Sequence, residues 1–140
     1  MIHQRTVQGL TFTHVLSAES VISDQQGGAQ VTYATHAVDV SSLRRGVYVV
    51  TVNDHIVYVG KFLGSFSKRW LYPMSGTIYH HKRNAIAREL HQGADVRVYA
   101  AAEVDLRAEI PIAASDATGW INVEGIESAL IAALEPAWNG

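Results

Sequence analysis

The sequence predicts an α+β domain: a small mixed or antiparallel central sheet flanked by helices, with an N-terminal extension. Three observations predict it. Residues 46–60 read Gly-Val-Tyr-Val-Val-Thr-Val-Asn-Asp-His-Ile-Val-Tyr-Val-Gly, β-branched and aromatic on both sides of Asn53-Asp54, the pattern of two strands around a tight turn. Val96 to Ala100 alternates as a further strand of the same sheet. Two segments carry apolar residues at helical spacing, Ile86 and Leu90 within 79–92 and Ile126, Leu130, Ile131 and Leu134 within 123–134.

In chain order, residues 1–45 form an extension packed on the same domain as 46–140. Leu10 to Val15 alternates like a short strand, and Gln30 to Thr35 reads as another. Ser17 to Ser20 has the Ser/Glu spacing of a helix start, and Gly27-Gly28 reads as a turn. His14 and His36 read as surface or loop residues. After the hairpin, 65–71 predicts a short helix that Pro73 stops, with Phe66 and Trp70 on one face. Gly93 is a natural stop for the helix before it. Residues 105–120, with Pro111 and Gly119, read as a loop or small insertion, and Pro136 ends the last helix.

Composition bounds the function. With 140 residues the chain fits one domain, and 48% hydrophobic content is enough for a core. It has no cysteine, which excludes disulfides, thiolate metal sites and cysteine nucleophiles. No apolar run approaches the roughly 20 residues of a membrane span, and no secretory signal follows the first residues, so the expected location is the cytoplasm. The net charge is −2, but residues 61–97 hold seven lysines and arginines against Glu89 and Asp95. Such a segment is either a phosphate-binding face or a solvated surface with ordinary ion pairs.

Within the hairpin, Tyr48 and Tyr58 are ten positions apart, so the two phenols share a face if the register allows. Gly60 permits a close approach at the end of the second strand. Glu127 lies near the apolar stripe of its helix, a place suited to a boundary residue or to a metal ligand aimed at a groove.

These residues, in order, resemble the GIY-YIG nuclease domain. Gly46-Val47-Tyr48 and Tyr58-Val59-Gly60 are similar to its two strand motifs. Lys61 follows them, Arg69 stands nine residues past Gly60, and Glu127 precedes Pro136 and Asn139, with twelve residues from Glu to Asn. The likeness covers about residues 45–140. Pro73 stands where many members carry a histidine, and both middle residues are Val in place of Ile.

The resemblance implies a GIY-YIG-like α+β fold and a metal-dependent DNA endonuclease with a single Mg²⁺ or Mn²⁺. Glu127 would be the direct protein ligand, with water and phosphate oxygens completing the shell. Tyr48 is expected as the base and Tyr58 as the group orienting water or phosphate, or the reverse. Arg69 offers a fork for two phosphate oxygens. Lys61 would charge-stabilise the same phosphate or lower the pKa of a nearby phenol. Lys61, Lys68, Arg69, Lys82 and Arg83 are the expected nucleic-acid contacts, while Gly46, Gly60 and Asn139 support the structure. A homodimer would suit double-strand cleavage, and a targeting partner protein would supply specificity. The alternative is a binding module on the same fold that holds nucleic acid or protein without cutting.

Overall fold

The computed structural model describes residues 3–23, 29–36, 42–66, 70, 77–103, 106 and 122–139, with the backbone alone at 22, 23, 29, 30 and 77–81. Six strands come in the order β1 (Gln4–Val7), β2 (Leu10–Ser23), β3 (Ala29–Thr35), β4 (Arg44–Val52), β5 (His55–Ser65) and β6 (Val96–Ala102). Helix α1 (Thr77–His91) lies between β5 and β6 in sequence, and helix α2 (Val123–Leu134) follows β6. The sheet runs β1-β2-β6-β4-β5, with β3 paired to β2, and every pairing is antiparallel. The fold is α+β.

The hairpin that the sequence predicts is β4 and β5. Asn53 and Asp54 both take positive φ, 47° and 69°, the signature of a two-residue type I′ turn. The Asn53 carboxamide accepts from the Asp95 N–H, and the Asn53 N–H donates to the Asp95 carbonyl, fixing the turn beside the start of β6. Further along the hairpin, Thr51 opposes Ile56 but Val50 opposes Tyr58. Val57 is therefore an extra residue, a bulge.

The extension contributes β1 to β3 to the same sheet. Ser17–Ser20, read from sequence as a helix start, is instead in the middle of β2, where Ser20 Oγ bonds Thr32 Oγ1 of β3 at 2.6 Å. Pairing to β3 on one edge and β6 on the other supplies backbone partners that an isolated helical turn lacks. His14 is not a surface residue either. It is buried and stacked on His36, with ring centroids 4.0 Å apart.

The sheet separates two apolar layers. The layer on the α1 side joins Ile86 of that helix to Val15, Leu16, Tyr48, Val50, Tyr58, Phe62, Phe66, Trp70 and Val98. The layer on the α2 side joins Val123 and Leu130 of that helix to Phe12, Val47, Val49, Val59, Tyr99 and Ala101. Helix α2 has the predicted bounds. Asn122 caps its start by accepting from the Gly125 N–H at 3.0 Å, and Glu135 ends it in the left-handed region before Pro136. Gly93, at φ 80°, follows α1. Phe66 and Trp70 both enter the core; the helix predicted around them and the 105–120 excursion fall largely outside the described residues.

Candidate functional site

The bulge at Val57 decides where the two tyrosines point. The I′ turn alone would set Tyr48 opposite Val59 and send the two phenols to opposite faces. With one extra residue, Tyr48 opposes Gly60, and Tyr48, Tyr58 and Phe62 all face α1. The two phenol rings lie 6.0 Å apart, tilted by 43°. Tyr48 is wholly buried, set edge-on against Phe66 and Trp70 at 6.2 and 5.2 Å, and Tyr58 is 8% exposed.

Gly60 makes this arrangement possible. A Cβ at that position would overlap the ring and hydroxyl of Tyr48. Gly46 is confined in the same way: a Cβ there would collide with the Ala101 carbonyl and the Phe62 ring. Both glycines of the strand motifs are thus required by close packing within the sheet.

Asn139 ties the C-terminal end of the chain to the second strand. Its carboxamide oxygen accepts from the Val59 N–H at 2.8 Å and its amide donates to the Val59 carbonyl at 2.9 Å. The Trp138 N–H adds a bond to the Val57 carbonyl at 2.8 Å. Residues 138 and 139 therefore occupy the edge of β5 that no described strand pairs.

The charged residues distribute differently from the expectation. Lys61 is three positions from Tyr58, an odd offset, and shares its side of β5 with Val59 and its partner Val47. It therefore faces α2, away from the phenols, and pairs with Glu124 at 3.4 Å. The expectation of Lys61 beside a phenol is corrected by that parity. The cation over Tyr58 is Lys82 of α1, whose Nζ is 4.6 Å from the ring centroid and donates to the Trp138 carbonyl at 2.7 Å. Burial lowers the Lys82 pKa. Arg83, expected as a nucleic-acid contact, is only 7% exposed. It lies three and four residues before the buried Ile86 and Ala87, on the inner stripe of α1 and not on its exposed face.

Glu127 is half-buried on α2, the helix that packs against β4 and β5. One turn earlier, Glu124 adds a second carboxylate that the sequence reading passed over; its place three residues before Glu127 was a visible signal. Arg69 and Lys68 fall outside the described residues. Among the described residues, no three His, Asp or Glu side chains converge in a way that could hold a metal ion. The Glu127 carboxylate is a hard oxygen donor, of the kind that suits Mg²⁺ or Mn²⁺ when water and substrate supply the other ligands.

A second polar cluster lies on the α2 side of the sheet, towards the extension. His14 Nε2 donates to the Leu16 carbonyl at 3.1 Å, and the Ser17 hydroxyl lies 3.0 Å from His14 Nε2 and 2.8 Å from His36 Nε2. His3 and Tyr99 meet the His14 ring from other sides. Burial, then the neighbouring His36 and Arg97 charges, lowers the His14 pKa to about 4.

No protein-family model matches the chain, and no curated protein matches it. Among solved structures it is similar to that of a mutant of bacteriophage T4 EndoII, with 15% identity and a TM-score of 0.47, over 90% of this chain and 92% of that one. A likeness that distant does not bear on the reaction. Among the described residues no helix is long and apolar enough to cross a membrane.

Proposed function

We propose that the chain is a metal-dependent DNA endonuclease of the GIY-YIG type, hydrolysing phosphodiester bonds at the β4–β5 hairpin. One observation carries the reading: the two strand motifs pack against each other on one hairpin, and Asn139, 80 residues beyond Val59, bonds to the same strand. Tyr48 rests on Gly60, Tyr58 lies beside Tyr48, and Asn139 brackets the backbone of Val59 between them.

In this reading Tyr58 is the base, because it retains some exposure while Tyr48 has none. The ammonium of Lys82 against its ring favours negative charge there. Tyr48 positions Tyr58 by packing against it. Glu127 would hold the divalent cation, which supplies charge neutralisation at the phosphate and polarisation of water. Lys61 exchanges its Glu124 partner for a phosphate oxygen when DNA binds, and Arg69 adds a fork to the same group. The phenols face α1, while Lys61 and the helix that carries Glu127 lie on the other side of the sheet, so in this reading the phosphate reaches the hairpin at a margin accessible from both sides.

Incubation with supercoiled plasmid and Mg²⁺ is expected to give nicked product, and EDTA is expected to stop it. Glu127→Ala should abolish nicking and leave DNA retention intact. The burial of Tyr48 among aromatic rings favours a second reading, a binding module without catalysis. Salt-sensitive DNA retention with no cleavage under any divalent metal would establish that one instead.

A further inference from the structure

Beside the hairpin, a groove of about 500 Å³ is lined by Lys82, Asn84, Ala85, Arg88, Glu89 and Trp138. That volume lies within the range of small-molecule sites, roughly 300–1,000 Å³. Asn84 and Arg88 are exposed and one helical turn apart on α1. The small side chain of Ala85 leaves the floor open between them and Lys82. Trp138 forms the facing wall and is fixed there by two bonds, its N–H to Val57 and its carbonyl from Lys82.

Two cations, an amide and an indole around one hollow are the groups that bind a nucleotide. The cations take phosphate, and the indole takes the face of a base. Glu89 on the same wall accepts from a base amino group or a sugar hydroxyl and repels a second phosphate. We propose that this groove is a subsite for the nucleotide next to the cleaved phosphodiester, with Arg88 and Lys82 on its phosphate and Trp138 against its base. Lys82 connects the two places, since the ammonium that lies over Tyr58 also lines the groove. The subsite rests on the nuclease reading above and specifies where that nuclease holds the strand beyond the cut.

The test uses the full chain and short labelled DNA, with binding measured in EDTA over a salt series and cleavage measured with Mg²⁺. Arg88→Ala should weaken binding about tenfold at low salt and make the salt slope shallower by about one. The loss in cleavage should fall in KM more than in kcat. Arg88→Lys, which keeps the charge, should restore the slope. A purely structural role for Arg88 would leave the slope unchanged. If the wild type cuts DNA while Arg88→Ala binds with the same affinity and slope, the subsite is wrong and the nuclease reading stands. A wild type that neither binds nor cuts DNA overturns both.

Discussion

The two sides of strand β5 are built from different materials. Towards α1 it presents Tyr58, Gly60 and Phe62, locked among Tyr48, Phe66 and Trp70 in direct aromatic contact. Towards α2 it presents Val59 paired with Val49, and then Lys61, paired with Val47 in the sheet, whose ion-pair partner Glu124 is 66% exposed. Shape holds the aromatic side, and interiors at crystal-like density tolerate little change in volume. Solvent-screened charge holds the rim of the other side, where a pair adds little to stability and can change partners. One strand thus combines a rigid mount for the phenols with a cation that remains exchangeable.

The strongest way to break this contrast is to add volume at Gly60. Gly60→Val should cost at least about 3 kcal/mol, because the new atoms occupy space already filled by the Tyr48 ring. Urea unfolding would show it. The double variant with Tyr48→Ala should recover part of the loss. If Gly60→Val were as stable as the wild type, the phenol would not be fixed by sterics.

Acid tests the other side of the sheet. His14 has a folded pKa lowered to about 4, against 6.5 for the ordinary group. Between these values the unfolded chain binds more protons, so stability rises with pH through that window. The contribution is complete above pH 6.5 and fades as pH falls towards 4, in total at most about 3 kcal/mol. His3, His36 and Arg97 face the ring, and each adds positive charge against its protonation. The urea midpoint should fall on acidification through that window. His14→Gln should flatten the dependence; an unchanged slope would remove His14 as its source.

At the edge of β5, Asn139→Ala removes both bonds to Val59 and should cost about 1–2 kcal/mol, since each such bond contributes about 0.5–1.5. Asn139→Asp should cost at least as much, because a carboxylate keeps the acceptor but turns an anion towards the Val59 carbonyl. Hydrogen exchange at the Val59 and Trp138 amides would locate the loosening. Equal protection in variant and wild type would show that the edge does not depend on this residue.

Much of this was legible in the sequence. The hairpin was, because β-branched residues flank a turn that needs positive φ at Asn53 and Asp54. The final helix was too, since Pro136 marks its end as plainly as its stripe marks its face. The side taken by Lys61 was also readable, since an odd offset from Tyr58 reverses the face, and so was the inward stripe that holds Arg83. The bulge at Val57 was not, because no residue type signals it; it is a property of how β4 and β5 pair. A similar register shift between His14 and Leu16 hid the histidine cluster. In Ser17–Ser20 a local helix-start spacing was overruled by pairing with β3 and β6, whose partners are distant in sequence.

The smallest expected change in stability falls on Lys61, and it is the most informative about the contrast. Lys61→Met keeps the length and apolar contacts of the side chain and deletes the charge. Its pair with Glu124 is exposed and 3.4 Å long, so the cost to stability should be below about 1 kcal/mol. A double-mutant cycle with Glu124→Gln should return a coupling in the same range. If Lys61 exchanges Glu124 for phosphate, cleavage should nonetheless fall on the order of 10²–10³, while Glu124→Gln, which frees the lysine, should not reproduce that loss. A small stability cost with a large loss of rate would separate the exchangeable side from the fixed one. Equal losses of both would make Lys61 part of the scaffold, and the division between the two sides of β5 would not hold.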